Sequence, residues 1–237
     1  MARTHSQHRC TRCALAEVLC ICGHLRAGPD PLRTRLRVLM HVAETRTSTN
    51  TGRLATRLVP EGEVWLRGER ERPSRDLSSA SGNGFRLALF PLEGARVLTA
   101  GLGEELRARY REFDLVVPDG TWRQASKAVR REILPWLSAS PGDAGMLVCL
   151  PKETLDISRY GLRVAPREET VCTLDAIGRA LEVLEGGVTG RALRNRFDHV
   201  LELFVERTLW SRGRRATADL KHPLPPGAES WRSGGSS

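Results

Sequence analysis

The chain of 237 residues contains very little lysine: among its 37 basic residues only Lys127, Lys152 and Lys221 are lysine, and the others are arginine. Arginine donates hydrogen bonds in a planar fork that suits phosphate groups and stacks on bases. A GC-rich genome would produce the same preference, so the choice of arginine over lysine carries little information. The net charge of +9 does not share that explanation, and it predicts a polyanionic partner.

Long apolar runs are also missing from the sequence. No segment approaches the ~20 apolar residues that a membrane-spanning helix needs. The first residues of the chain contain no apolar core of the kind that a secretory signal has. With 40% hydrophobic and 27% charged residues, the composition is typical of a soluble globular protein with one sizeable core. We expect a cytoplasmic monomer that has neither membrane contacts nor an obligate protein partner.

Predicted strands and helices alternate along the chain. Short apolar runs predict strands at residues 37–42, 85–90, 97–100, 115–117 and 146–150. Helical periodicity or capping signals are present at residues 53–58, 104–112, 173–185 and 193–209. This alternation predicts an α/β fold with a mainly parallel sheet. We expect a cysteine-rich module at residues 1–26, a main domain at 27–212 and a disordered tail rich in Pro, Gly and Ser at 213–237.

The most informative local pattern follows the apolar run at residues 115–117. Pro118 has no amide proton for a sheet ladder and is expected to end the strand. Gly120 allows a tight turn, and Asp119 or Thr121 can cap the helix that begins near Trp122. Ligands bind at this place in open α/β sheets, because the carboxyl end of a strand meets the positive end of a helix. The same residues would also suit an ordinary capped turn.

Four cysteines lie close together near the start of the chain: Cys10, Cys13, Cys20 and Cys22. Disulfides are rare in cytoplasmic proteins, whereas four thiolates suit zinc in a closed tetrahedral site. The spacing differs from that of a common zinc ribbon, and His24 is an alternative fourth ligand. Buried or redox-active cysteines are the competing interpretation. We predict a structural zinc ion that stabilises residues 1–26.

The order of these motifs resembles that of the DTW-domain family. Residues 119–122 match the D-x-T-W signature of the family, and Asp175 stands where its pattern has Glu. Further parts of the pattern stand in the right order at the four cysteines and at residues 41–44, 50–52, 89–91, 158–163 and 172–176. The resemblance covers roughly residues 9 to 210, and an ordered series of motifs is far more specific than one four-residue match.

The family is similar to the knotted SPOUT-type α/β proteins and includes the bacterial tRNA-uridine aminocarboxypropyltransferases. These enzymes move the 3-amino-3-carboxypropyl group of S-adenosyl-L-methionine to N3 of a tRNA uridine and release methylthioadenosine. The resemblance therefore implies a SPOUT-like fold, S-adenosyl-L-methionine as co-substrate and tRNA as partner. The cofactor-binding residues that it implies are Leu89, Phe90, Pro91, Asp119, Gly120, Thr121, Trp122, Ser158, Tyr160, Leu162, Arg163 and Thr173.

Some of these side chains have chemistry that suits a particular part of the cofactor. Arg163 could hold its carboxylate with two parallel hydrogen bonds. Tyr160 or Trp122 could cover the adenine or the sulfonium, because an aromatic face attracts positive charge. Ser158 and Thr173 could hydrogen-bond to the ribose or to the amino-acid tail. Trp122 is equally suited to a purely packing role in the helix that it begins.

The reaction needs a group that removes a proton from uracil N3, which is a poor nucleophile until that proton is lost. A positioned carboxylate could act as this general base. Asp119 is the first candidate for the catalytic role, and Asp175 and Glu44 follow it. Asp119 could instead serve only as a helix cap. His41 and Glu44 could form an edge of the site or a solvated pair in a loop.

RNA binding requires positive charge that faces solvent. Arg123, Lys127 and Arg130 share the outer face of the helix after Trp122, and Arg194 belongs to a second basic cluster. These four residues are the candidate RNA contacts, although charged helix faces are often only solvated. An RNA methyltransferase of the same architecture and a non-catalytic zinc-dependent RNA-binding protein are the two alternative functions.

Overall fold

A computed structural model describes residues 9–28, 31–69, 75–77, 84–139, 143, 145–154, 162 and 171–233. Six strands form one sheet in the described residues: β1 (Thr34–His41), β2 (Glu63–Arg67), β3 (Phe85–Leu89), β4 (Arg96–Val97), β5 (Phe113–Asp119) and β6 (Met146–Cys149). Their order is β2-β1-β5-β3-β6-β4, and every pair in that order is parallel. The predicted α/β class with a mainly parallel sheet is confirmed.

The central strand β5 is longer than the sequence predicts. It begins at Phe113 and continues through Pro118 to Asp119, and all of its residues are buried. Its pairing with β3 ends at Val116, so Pro118 lies where only β1 is a neighbour and the missing amide costs no bond to β3. Met40 of β1 pairs with Asp119, which brings the ends of β1 and β5 together at one edge of the sheet.

Helices cover both faces of the sheet. They are α1 (Gly52–Ala55), α2 (Ala100–Arg109), α3 (Trp122–Ala128), α4 (Leu134–Ser138), α5 (Thr173–Glu185), α6 (Gly187–Ser211) and α7 (Ala228–Ser233), with a π-helical turn at Val129–Ile133 between α3 and α4. One hydrophobic core joins α1, α2, α5 and α6 to one face of the sheet, and a second joins α3 and α4 to the other. The strand predicted at residues 97–100 is β4, which ends at Val97. It ends there because Thr99 caps α2, with its side chain accepting from the amide of Leu102.

The two ends of the chain pack against the main core. Leu19 and Ile21 of the cysteine-rich segment are buried in the same core as Leu36 of β1. The prediction of disorder after residue 212 differs from the structure, which describes residues 213–233 as an ordered segment ending in α7. Although this segment is rich in Pro, Gly and Ser, a few of its apolar side chains reach the main hydrophobic core. Ala228 is buried there, and Trp231 packs against it.

Polar contacts also fix the C-terminal segment. Glu206 of α6 is almost completely buried and accepts from the backbone amides of Lys221 and His222. Arg207 donates to the carbonyl oxygen of Pro223 at 2.5 Å. In the described part of the chain, none of the helices is both long enough and apolar enough to cross a bilayer.

Candidate active site

A buried polar cluster surrounds Asp119 at the carboxyl end of β5. Its Oδ2 accepts from Nδ2 of Asn50 at 2.6 Å, and its Oδ1 accepts from Oγ1 of Thr173 at 2.6 Å. Asn50 comes from the loop after β1, whereas Thr173 is the first residue of α5. Three separate segments therefore meet on one carboxylate, and two residues predicted for the site, Asp119 and Thr173, lie in direct contact.

A second carboxylate shares this cluster. Nδ2 of Asn50 also donates to Oε2 of Glu44 at 3.3 Å, and the exposed fractions of Glu44 and Asp119 are only 6% and 7%. The guanidinium of Arg53 donates to the carbonyl oxygens of Glu44 and Thr45. Burial lowers the pKa of Arg53, and the charges of Asp119 and Glu44 oppose that shift. A half-buried positive charge thus partly balances two buried carboxyl groups.

The segment 50–52 fits closely around the cluster. A Cβ atom at Gly52 would lie 2.6 Å from Oδ2 of Asp119, so this position has no room for a side chain. Oγ1 of Thr51 accepts from the amide of Leu174 at the start of α5. From the sequence, residues 50–52 are identified only as one of the ordered motifs, so the contacts of Asn50 with Asp119 and of Thr51 with α5 were missed. The signal was the position of residues 50–52 within the ordered motifs.

The turn after β5 has a complete capping box. Oγ1 of Thr121 accepts from the amide of Gln124 at 3.3 Å, and Oε1 of Gln124 accepts from the amide of Thr121 at 2.8 Å. The sequence left the choice of cap between Asp119 and Thr121, and the structure identifies Thr121. The carboxylate of Asp119 is therefore not used as the cap of α3. Gly120 lies between the two and is half-buried.

The predicted residues at the ends of β3 and β5 also come together. The rings of Phe90 and Trp122 pack with their centroids 4.8 Å apart and tilted by 34°. Leu89 is buried in the core and Pro91 is exposed. Trp122 is half-buried, so its indole is partly open beside the turn. Leu162 is buried, whereas Ser158, Tyr160 and Arg163 lie outside the described residues.

Asp175 has a different environment, although it lies only two residues after Thr173. Its carboxylate pairs with Nη1 of Arg194 at 2.7 Å and with Nε of Arg179 at 3.1 Å. Arg194 also pairs with Asp198 at 2.6 Å. These ion pairs tie α5 to α6, and they leave Arg194 engaged with two carboxylates instead of facing solvent. The other candidate RNA contacts, Arg123, Lys127 and Arg130, are exposed.

The four predicted cysteine ligands converge, with all four Sγ atoms within 4.8 Å of one another. Sγ of Cys10 lies 3.5 Å from those of Cys20 and Cys22, and Cys13 and Cys20 are 3.9 Å apart. Tetrahedral zinc with Zn–S bonds of ~2.3 Å separates its sulfur ligands by about 3.8 Å. The donor set and its spacing therefore fit zinc.

The thiols of this cluster have different electrostatic environments. Burial alone would raise the pKa of Cys10, but hydrogen bonds from the amides of Cys13 and Arg12 lower it to about 6. Burial raises the pKa of Cys13 to about 11. His24, the alternative fourth ligand, instead faces His199, with 3.2 Å between Nδ1 and Nε2. The four cysteines are thus the set that the fold brings together.

Two surface cavities differ in their relation to this site. One of about 640 Å³ lies between the cysteine-rich segment and α1, and its lining includes Arg12, Arg53 and Arg57. A larger one of about 770 Å³ lies near the opposite ends of the strands and is lined by residues such as Arg33 and Tyr110. None of the residues predicted for the site lines the larger cavity, so volume alone does not locate the chemistry.

The profile of the DTW domain matches residues 7–209. The chain belongs to the DTW domain family. It is 29% identical over 183 residues to tRNA-uridine aminocarboxypropyltransferase 2 of Drosophila melanogaster, a match that covers 76% of this chain and 67% of that protein. Its identity to the proteins of the same name from Macaca fascicularis and Mus musculus is 26% over 179 and 190 residues.

The match with the two mammalian proteins covers 74% and 76% of this DTW chain but only 56% and 58% of their own lengths. This chain therefore spans little more than half of those relatives. No solved structure matches the chain.

Proposed function

We propose that this DTW-domain protein transfers the 3-amino-3-carboxypropyl group of S-adenosyl-L-methionine to N3 of a uridine in tRNA. The observation that carries the proposal is the buried cluster in which Asn50 and Thr173 hold Asp119, within the signature that defines the family. The names of the three relatives support the same reaction class. A SPOUT-like knotted arrangement of the parallel sheet is part of the proposal.

The residues around the D-x-T-W turn have the chemistry to hold this co-substrate. The aromatic pair of Phe90 and Trp122 offers a face for the adenine or the sulfonium. When bound, S-adenosyl-L-methionine supplies the electrophilic γ-carbon. The remaining residues that we propose for the site are Leu89, Pro91, Gly120, Thr121, Ser158, Tyr160, Leu162, Arg163 and Thr173.

Asp119 is the proposed general base for uracil N3. As N3 loses its proton to the carboxylate, the bond from N3 to the γ-carbon forms, the bond from that carbon to sulfur breaks, and methylthioadenosine leaves. Asn50 and Thr173 each donate to one oxygen of Asp119, which fixes the orientation of the carboxylate. Correct placement of two reactants supplies much of the acceleration in such a transfer.

Asp175, the second catalytic candidate, is proposed to hold α5 and α6 together. A carboxylate that accepts from two guanidinium groups is less available to take a proton than one that accepts from an amide and a hydroxyl. Its position two residues after Thr173 connects the packing of α5 to the placement of Asp119. Its contribution to the reaction would then be indirect.

RNA is proposed to contact the basic surface next to the site. Arg123, Lys127 and Arg130 form an exposed face on α3 and the turn that follows it. Arg12 and Arg57 are exposed at the cavity between the cysteine-rich segment and α1. Zinc on the four cysteines would shape the loop that carries Arg12. Arg194 is omitted from this proposal because it is paired with Asp175 and Asp198.

The reaction can be tested with purified protein, S-adenosyl-L-methionine and unmodified tRNA. Mass spectrometry of the nucleosides and of the small-molecule product should show an aminocarboxypropyl uridine together with methylthioadenosine. A methylated nucleoside with S-adenosylhomocysteine would instead identify an RNA methyltransferase. Binding of tRNA without either product, across a set of tRNAs, would favour a non-catalytic RNA-binding protein.

A further inference from the structure

The cavity between the cysteine-rich segment and α1 lies on the same face of the sheet as the side chain of Asp119. Met40 of β1 lines this cavity and pairs in register with Asp119 of β5. Met40 and Val117 both pack into the main hydrophobic core, and Asp119 follows Val117 by two positions on the same strand. Side chains two residues apart on a strand point to the same face. The cavity and the proposed general base are therefore neighbours on one side of the sheet.

The lining of this cavity combines positive charge with apolar surface. Three arginines contribute to it: Arg12, Arg53 and Arg57. Val64 and Leu66 of β2 contribute apolar side chains, and Leu66 is 39% exposed. A volume of about 640 Å³ is typical of a site for a small ligand. A nucleotide suits this combination, because it has an anionic phosphate and an uncharged base.

The positive charge of the cavity is not neutralised by the residues that line it. Glu63 is the one acidic residue of the described lining, and it already pairs with Arg37 and Arg75. Arg12 and Arg57 are exposed, and neither forms an ion pair within the part of the chain that the structure describes. The cavity therefore attracts an anion from solution.

Arg53 connects the cavity to the buried cluster around Asp119. Its backbone amide donates to Oδ1 of Asn50 at 3.3 Å, and Nδ2 of Asn50 donates to Oδ2 of Asp119 at 2.6 Å. Its guanidinium donates from Nη2 to the carbonyl oxygens of Glu44 and Thr45. One residue thus lines the cavity and also holds the segment that orients the carboxylate.

One side of the Arg53 guanidinium is available for a ligand. All three hydrogen bonds that it donates to described residues start from Nη2. Nε is buried without a partner, whereas Nη1 is not buried and makes no hydrogen bond to the described residues. Because the guanidinium is a planar fork, Nη1 can donate to a phosphate oxygen while Nη2 keeps its bonds to the backbone.

We propose that this cavity holds a nucleotide of the tRNA next to the target uridine, with its phosphate on Arg12, Arg57 and Nη1 of Arg53. The inference rests on the proposed function and adds the subsite that places the RNA. Arg53 is then a positioning residue, because it binds the RNA backbone and also holds Asn50, the partner of Asp119. A fixed separation between phosphate and carboxylate brings the uracil into register with its base. Phosphate contacts carry no sequence information, so the subsite should accept any nucleotide.

The double variant Arg12→Ala and Arg57→Ala tests the phosphate subsite. Both side chains are exposed, so the thermal midpoint should stay at that of the wild type. Binding of unmodified tRNA, measured without S-adenosyl-L-methionine, should weaken about tenfold or more, the scale of lost hydrogen bonds to a charged group. Arg46→Ala with Arg212→Ala is the matched control, because these two arginines are also exposed, lie outside the cavity and remove the same charge.

The binding measurements separate this subsite from the transfer reaction. Equal tRNA affinity in the cavity variant and its control would overturn the proposal, whether or not the protein is a transferase. Weaker binding of S-adenosyl-L-methionine with unchanged tRNA affinity would also overturn it, because the cavity would then belong to the cofactor. Weaker tRNA binding in a protein that forms neither product would support the RNA subsite and contradict only the transfer reaction.

Arg53→Lys tests the positioning role. Lysine keeps the positive charge, but its single nitrogen cannot replace the two ends of the fork. Combined with Arg57→Ala, the substitution should cost less tRNA affinity than the product of the two separate losses, because both side chains share one phosphate. The single-turnover rate at saturating tRNA should fall by about tenfold to a hundredfold, the scale expected for misplaced reactants. Losses of affinity that multiply would show that Arg53 only stabilises the fold, and they would overturn its place in the subsite.

Discussion

Asp119 and Asp175 are both buried at the same end of the fold, yet their surroundings differ in kind. They are 7% and 4% exposed, and Thr173, which touches Asp119, is only two residues from Asp175. Asp119 accepts from an amide and a hydroxyl, whereas Asp175 pairs with the guanidinium groups of Arg179 and Arg194. Burial and motif membership are shared, so they cannot assign a role. The partners of each carboxylate are what separates the proposed general base from the structural ion pair.

Among the groups that we assign a structural role, the cysteines are expected to have the largest effect on stability. The double variant Cys10→Ser and Cys13→Ser should lose a bound zinc ion and lower the thermal midpoint strongly, because structural zinc sites contribute folding energy outright. Metal analysis of untagged protein and thermal unfolding check this. Cys149→Ser is the control, since Cys149 lies apart from the cluster on β6. Zinc that remains in the double variant, or is missing from the wild type, would contradict the assignment.

Asp175→Asn should act mainly on stability. The variant removes the carboxylate charge that two largely buried guanidinium groups share, and breaking a buried ion pair costs about 3 kcal/mol. Denaturant unfolding measures this, and the folded fraction should still transfer within a few-fold of the wild-type rate. If the variant unfolds like wild type but loses activity, Asp175 has the chemical role and the distinction between the two carboxylates is wrong.

The smallest effects are expected on the basic face. Replacing Arg123, Lys127 and Arg130 with Ala should weaken tRNA binding evenly across sequences. For each phosphate contact that is lost, the slope of the logarithm of the tRNA-binding constant against the logarithm of the salt concentration should become smaller by about one. Arg96→Ala is the control, because Arg96 is on the edge strand β4, where it pairs with Glu105. An unchanged slope in the triple variant would place the RNA on another surface.

Much of the secondary structure was predictable from local sequence. Short apolar runs located the central strands, and the capping signal at Thr121 was among the two candidates for the start of α3. The convergence of the four cysteines was predictable because all four lie within one short segment. Local chemistry determines each of these features, so distant packing does not change them.

The contacts that distinguish the two carboxylates were not predictable. Asn50 reaches Asp119 across 69 positions of sequence, and Arg194 reaches Asp175 only because α6 packs antiparallel to α5. The spacing of residues along the chain does not show which distant residues will be in contact in the folded protein. The ordered segment at 213–233 was missed for a related reason: its composition resembles a disordered tail, whereas its few apolar side chains find a place in the existing core.

The central claim is that Asp119 takes the proton from uracil N3. Asp119→Asn keeps the size of the side chain but removes the proton acceptor, and Thr121 still caps α3. Single-turnover transfer at saturating cofactor and several pH values is the most direct measurement. The account predicts that the rate falls by about a hundredfold or more, with cofactor and tRNA affinities nearly unchanged. A rate within a few-fold of wild type would remove Asp119 from the reaction, and outright loss of cofactor binding would mean that it holds the ligand instead.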